Sequence, residues 1–217
     1  MPKFSIILPE HNSEKFMRRM LDSIRKQTFQ DYELIVACDR CTDNTADIAR
    51  QYIRNGSQDR VLEVDFGRCS LTRNAALDIA KGDWILFADD DDWFLHDYAF
   101  EMIAAECQDD VDVVAFGFLA RNFCNQPGLQ CFYSAEDNMA PVMRVWAAPW
   151  TKAWRRDFIG EHRFPDIAHS DDLPFTNEMM ALVNNMQVIY QPFYFYNFMR
   201  PGSIQDKLST GELEAIG

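Results

Sequence analysis

Residues 81–92 read Lys81-Gly82-Asp83-Trp84-Ile85-Leu86-Phe87-Ala88-Asp89-Asp90-Asp91-Asp92. Five apolar residues, bounded by Gly82-Asp83 on one side and by acids on the other, predict a buried strand. Carboxylates this close repel one another, and a fold would ordinarily avoid gathering them at the end of a core strand. A hard divalent cation removes the difficulty, because Mg²⁺ and Mn²⁺ take oxygen ligands and are often held by one or two carboxylates plus a substrate's phosphates. The stretch therefore points to chemistry on a nucleotide or another phosphorylated compound. The competing reading is an acidic turn that caps a helix starting near Trp93.

Outward from that strand the amino-terminal half repeats one theme. Phe4 to Leu8, Glu33 to Ala37, Val61 to Val64 and Trp84 to Ala88 are strand candidates that begin at residues 4, 33, 61 and 84, a spacing that suits βα units. Helix signals lie between them. Phe16, Met17, Met20, Leu21 and Ile24 form an apolar stripe behind an Asn12 or Ser13 cap. Asp43 is placed to cap a helix through Tyr52, and Ser70 one through Ala80 that Gly82 ends. Val111 to Leu119 and Val188 to Phe198 read as further strands, Trp150 to Trp154 as a short strand or turn, and Asp172 to Val183 as a helix. Alternating strands and helices imply an α/β fold with a mostly parallel sheet covered on both faces. Ligands bind beyond the carboxyl ends of such strands. Here those ends carry Pro9-Glu10-His11-Asn12, Asp39, Asp65 and Asp89 to Asp92.

Bulk properties narrow the class. The 217 residues suit one domain, and 47% apolar with 25% charged residues is ordinary for a globular chain. A net charge of −13 argues against a nucleic-acid partner, which clustered Lys and Arg would have to hold. The longest apolar run, about residues 113–120, is far short of the roughly 20 residues that span a bilayer. Residues 4–8 are too short for the apolar core of a signal peptide. Six scattered cysteines suggest free thiols in a reducing compartment, so a cytoplasmic setting is expected. Cys38-x-x-Cys41 has no second pair to complete a zinc site.

Seven elements, in order along nearly the whole chain, resemble the family 2 glycosyltransferases, whose nucleotide-sugar-binding fold is called GT-A. Ser5-Ile6-Ile7-Leu8-Pro9-x-x-Asn12 is similar to the opening P-x-Y-N run, with His11 in the Tyr place. Asp39-Arg40-Cys41-Thr42-Asp43-Asn44-Thr45 resembles D-G-S-T-D-N-T, and Gly67 to Asn74 resembles G-x-x-S-x-A-R-N with Thr72 in the Ala place. Residues 81–92 resemble K-G-x-x-I-x-F-L-D-S-D-D. Trp150-Thr151-Lys152-Ala153-Trp154-Arg155-Arg156 is similar to W-N-K-L-Y-R-R, Ser170 to Phe175 to E-D-x-x-F, and Arg200 to Ile204 to R-x-G-S-I.

The resemblance implies a Rossmann-like GT-A sheet flanked by helices. Residues 1–110 form its nucleotide-sugar-binding half, and residues 111–217 a smaller acceptor-binding half of the same domain. It implies an inverting transfer from a UDP-sugar to a glycan or lipid-linked acceptor, in assembly of a surface polysaccharide, with Mn²⁺ or Mg²⁺. Any membrane association would be peripheral, at the inner face. Asp91 would ligate the metal, while Asp89 contacts the ribose or a metal-bound water and Asp90 lies beside them. An extended segment would put Asp89 and Asp91 on one side and Asp90 on the other. Asp39 would accept a hydrogen bond from the base, Pro9 and His11 would line the base pocket, and Arg73 would approach the base or ribose-phosphate. Asp172 would be the catalytic base beside Asp171. Trp150, Lys152 and Trp154 would floor the sugar side, and Arg200 would reach the diphosphate. Two rivals stay open: a nucleotidyltransferase making NDP-sugars, which should carry a Gly-rich loop where Pro9 to Lys15 has no glycine, and a non-catalytic module that binds sugar-nucleotide or glycan.

Overall fold

Strands that are apolar at every position need cover on both faces, and that requirement organises the chain. The computed structural model describes residues 1–121, 129–131, 148–168 and 170–197. Strands β1 (Phe4–Glu10), β2 (Tyr32–Asp39), β3 (Arg60–Val64) and β4 (Trp84–Phe87) pair in parallel in the order β3-β2-β1-β4. Phe4, Ile6 and Leu8 pack on one face with Met17, Met20, Leu21 and Ile24 of α1 (Met17–Arg25), beside α2 (Thr45–Tyr52). Ile7, Ile35, Ala37, Ile85 and Phe87 pack on the other with Ala76 and Leu77 of α3 (Cys69–Ile79) and with Phe175 and Met179 of a later helix.

The sheet continues without a break past residue 110. Short β5 (Trp93–Phe94) follows the acids, then α4 (Ala99–Glu106), β6 (Val113–Arg121) and β7 (Leu129–Cys131). A 3₁₀ turn (Pro149–Thr151) leads into β8 (Lys152–Arg155) and one-turn α5 (Arg156–Ile159), followed by α6 (Asp172–Leu182) and β9 (Met186–Tyr196). The order runs on as β4-β8-β6-β9-β5, with β7 beside β6. Only β8, β5 and β7 run against their neighbours. The sheet is therefore mostly parallel, as the βα rhythm implied.

Local boundaries depart from expectation where side chains found other partners. No helix starts at Trp93. The residue enters β5 and its ring stacks on Phe195 of β9 at 3.8 Å between centroids. Ser13 starts α1 through its carbonyl, which accepts the N–H groups of Phe16 and Met17, rather than through its side chain. Ser70 is buried inside α3, whose flanking residue is Arg68.

The end of the sheet remote from the acids is held by close backbone contact. Gly82 N–H donates to Ser5 Oγ at 2.7 Å, and Ser5 Oγ donates to buried Glu33 at 2.6 Å. A Cβ on Gly82 would stand 2.3 Å from the Ser5 nitrogen. Overpacking against backbone cannot relax by a side-chain rotation, so Gly82→Ala should lower the unfolding free energy by about 2 kcal/mol or more. Urea denaturation followed by circular dichroism measures it.

Candidate active site

Because β1 to β4 are parallel, their carboxyl ends share one rim, and the acids gather there. Asp89 to Asp92 do not continue β4 in extended form. The chain turns at Asp90-Asp91, with Asp92 N–H directed at the Asp89 carbonyl at 3.4 Å. The expected alternation of side chains along a strand therefore does not apply. Tertiary partners hold the turn: the Asp89 N–H donates to the Tyr194 hydroxyl at 3.0 Å, and Asp92 Oδ1 accepts the Asn197 N–H at 2.8 Å. The Tyr194 hydroxyl also favours the charged form of the nearby Asp92 carboxyl. Sequence reasoning missed Tyr194, since in an aromatic strand nothing local separates a hydroxyl with a task from core filling.

Arg73 joins the acidic turn to the second acidic pair. Its Nη2 contacts Asp89 Oδ1 at 2.9 Å and its Nη1 contacts Asp171 Oδ2 at 3.0 Å. The side chain is only 8% exposed. Asp171 precedes α6 and Asp172 is its first residue, after Ser170 in a left-handed conformation at φ 57°. Burial raises the Asp172 carboxyl above its usual range. Arg73 opposes the shift, while Asp89 and Asp171 add to it.

Lys152 is fully buried, donating from Nζ to the Ala148 carbonyl and to Thr151 Oγ1, both at 2.9 Å. Burial pushes its ammonium down to about 7, and the charge of Asp172 works the other way. Trp150 is buried beneath the site. Its ring stacks on Tyr194 at 4.7 Å and lies 4.9 Å from Tyr196, so it supports the turn from below. Trp154 is a core residue on the opposite face. Arg200 lies outside the described residues.

On the other side of the turn, the Asp39 carboxylate is consumed within the protein. Oδ1 accepts the N–H groups of Phe66 (2.8 Å) and Gly67 (3.0 Å), and Oδ2 accepts the Arg68 N–H and the Thr72 hydroxyl, both at 3.0 Å. Burial alone would raise this carboxyl, but the four donors outweigh it and hold it below its usual range. Pro9 is half-buried in β1. Exposed His11 bonds through Nδ1 to the Asp39 carbonyl at 2.7 Å.

Glu10 is a further acid at this rim, and its place at the end of an apolar strand was visible in the sequence. Burial first, then the charges of Asp90, Asp89 and Asp91, push it well above the carboxylate range, against a hydrogen bond from Ser13. Asp92 is raised likewise, by burial and then by Asp91 and Asp89. Among the described residues, the buried atoms Glu10 Oε1 and Asp92 Oδ2 have no hydrogen-bond partner. Among those residues no three acidic, His or Cys side chains form a closed metal cage. The oxygen donors of the turn nevertheless fit Mg²⁺ or Mn²⁺, which need one or two carboxylates and take the rest from phosphate and water. A dication there would relieve the repulsion felt by Glu10 and Asp92.

The sequence pattern described as Glycosyl transferase family 2 matches residues 5–133. The chain belongs to that family. It is 34% identical over 211 residues to the uncharacterized glycosyltransferase EpsJ of Bacillus subtilis (strain 168), covering 90% of this chain and 61% of EpsJ. It is 29% identical over 210 residues to the poly(ribitol-phosphate) beta-N-acetylglucosaminyltransferase TarS of Staphylococcus aureus (strain MW2), covering 93% of this chain and 36% of TarS. The crystal structure of S. aureus TarS 1-349 in complex with UDP-GlcNAc superimposes with a TM-score of 0.79 at 26% identity, covering 94% of this chain and 60% of that one. The family 2 chain described here thus spans less than two thirds of the length of these relatives. It shares their GT-A-like fold.

Asp39 and Glu10, two of the buried acids of the rim, should show opposite pH dependence. Asp39 has a depressed folded-state pKa, so its stabilisation is complete above the unfolded value of about 3.9 and is lost as pH falls through the lower folded value. Asp39→Asn should cost about 1–3 kcal/mol at pH 7, with the gap closing below about pH 4. Glu10 has a raised folded-state pKa, so the native state is penalised as pH rises past the unfolded value. Glu10→Gln should raise the melting temperature at pH 7, with no gain below about pH 4. Thermal and urea unfolding across pH 3–8 check both signs.

Proposed function

We propose that this chain transfers a sugar with inversion from a UDP-sugar to a glycan or lipid-linked acceptor, in assembly of a cell-surface polysaccharide. The observation that carries the reading is the buried Arg73 bridge, which sets Asp171-Asp172 beside the acidic turn that would receive the diphosphate. TarS supports the donor class by its complex with UDP-GlcNAc, and the acceptor class by its name. In this reading residues 1–110 bind the donor and residues 111–217 contribute the acceptor side.

Asp172 acts as the general base. It takes the proton of the acceptor hydroxyl as that oxygen bonds to the anomeric carbon, while the bond from that carbon to the β-phosphate oxygen breaks and UDP departs with the electron pair. A carboxylate whose basicity is raised by burial is better matched to this proton than an exposed one. Asp171, fixed by Arg73, orients its neighbour. Asp91, with Asp89 and Asp90 beside it, would hold Mn²⁺ or Mg²⁺, which neutralises charge on the leaving diphosphate. Lys152 acts from behind Asp172 rather than as a sugar contact. Pro9 lines the base pocket with His11. No described helix is long and apolar enough to cross a membrane.

The rival readings are less well supported. A nucleotidyltransferase needs a Gly-rich phosphate loop after β1, where Pro9 to Lys15 contains none. A purely binding module has no use for Asp172 beside the acidic turn. A panel of UDP-sugars with Mn²⁺ and candidate acceptors, read as UDP release, tests the proposal. Asp172→Asn should reduce turnover about 100-fold or more while UDP binding by calorimetry persists. Asp91→Ala should weaken UDP binding in the presence of Mn²⁺ and leave metal-free binding little changed. Release that continues undiminished in both variants would refute the assignments.

A further inference from the structure

The outer face of α1 carries a charge opposite to that of the chain. Residues 15–26 hold Lys15, Arg18, Arg19, Arg25 and Lys26 against one acid, Asp22, in a protein of net charge −13. The helix buries Met17, Met20, Leu21 and Ile24 against the sheet, so helical spacing turns the cations outward, and all five are exposed. Lys15 and Arg18 stand at the rim end of the helix. Arg25 and Lys26 lie two turns beyond Arg18, about 10 Å away.

The fold does not use these charges up. Arg40, Arg50, Arg54, Arg68, Arg73 and Arg155 are each ion-paired with a carboxylate. Among the described residues Lys15, Arg18, Arg25 and Lys26 are not. Asp22, on the same face, accepts the Tyr52 hydroxyl at 2.7 Å. Lys15 and Arg18 also line a cleft of about 520 Å³ between α1 and α2, with Glu14, Asn44, Asp47 and Gln51. The acids of that cleft are engaged. Glu14 accepts the backbone N–H and the side-chain amide of Asn44 at 3.2 and 2.9 Å, and Asp47 pairs with Arg50 at 2.7 Å. Two cations are left there to meet an anion.

We propose that the outer face of α1 docks on an anionic lipid bilayer surface, with Lys15 and Arg18 taking headgroup phosphates in the α1–α2 cleft and Arg25 and Lys26 extending the contact. A row of exposed cations along a helix matches a planar array of phosphates better than one small anion. An acceptor polymer is the poorer fit, because α1 covers one face of the sheet while α6, which opens with Asp172, covers the other. The net charge does not forbid the contact. The Debye length is about 8 Å at physiological salt, so a surface touching α1 is governed by the charges of that face. Each basic side chain near an anionic leaflet strengthens binding about fivefold. This docking goes beyond the transfer reaction and stands whether or not the donor is a UDP-sugar.

Cosedimentation of the full chain with phosphatidylcholine vesicles, pure or with about one third phosphatidylglycerol, tests it. The anionic vesicles should bind about tenfold or more tightly than the neutral ones at low salt, with the difference gone near about 1 M salt. Lys15→Gln with Arg18→Gln should lower affinity for the anionic vesicles about tenfold or more, and so should Arg25→Gln with Lys26→Gln. Arg50→Gln, which removes a cation already paired, should change it less than about twofold. Circular dichroism confirms the fold of each variant. Equal binding to both kinds of vesicle, or binding undiminished in both double variants, would overturn the proposal. So would a fall as large in Arg50→Gln, which would mark an effect of overall charge. Retention of soluble polyphosphate by this face without any binding to anionic vesicles would assign it to a polymer and overturn the membrane reading.

Discussion

The buried guanidinium of Arg73 is the contact on which the site depends. Removing a partly buried carboxylate from water is tolerable only if an opposite charge or several donors replace the solvent. Arg73 does this for two acids at once, and the planar fork of a guanidinium lets one residue face both. Breaking such a pair leaves charge uncompensated and commonly costs about 3–5 kcal/mol. The arrangement also sets distance: Asp89, at the end of β4, and Asp171, at the start of α6, are 82 positions apart in sequence but share one side chain.

Around that contact the acids divide by environment. Asp39 is surrounded by donors and held ionised, whereas Glu10 and Asp92 are buried near other carboxylates and favour their protonated forms. Asp172 lies between these limits, raised by burial yet within reach of Arg73 and Lys152. One rim thus holds carboxyl groups of graded basicity, which is what a site needs if one acid is to accept a proton while others remain ligands.

Much of the fold was legible because continuous apolar runs have few alternatives. Ile6-Ile7-Leu8 and Ile85-Leu86-Phe87 are buried at every position, and only a sheet covered on both faces permits that. The acids at the strand ends were legible for the same reason. What could not be read was the partner of each polar group. The donors to Asp39 lie 27 to 33 residues further on, and three of them are backbone N–H groups that carry no sequence signal. The turn at Asp90-Asp91 depends on Tyr194 and Asn197, more than 100 residues away, so a local rule predicted an extended segment. Trp93 was open to the competing reading because an aromatic residue after acids suits a helix start as well as a strand, and only its stack on Phe195 decides between them. Trp150 shows the converse: an aromatic in a sugar-enzyme pattern proved to be support beneath the turn.

The charge balance bears on how a polyanion could be received at all. The chain carries a net −13, and the buried cations nearest the acidic turn are already engaged, Arg73 by Asp89 and Asp171, and Lys152 by a carbonyl and a hydroxyl. A diphosphate approaching Asp89 to Asp92 would meet like charge on a rim where burial weakens solvent screening. Two routes relieve this. A dication can sit between the carboxylates and the phosphates, or Asp89 can release Arg73 to the incoming anion. The second route would leave Asp171 with a looser partner and alter the surroundings of Asp172. The first leaves the bridge intact, adds positive charge where Glu10 and Asp92 are most strained, and is therefore the arrangement that the electrostatics of this rim favour.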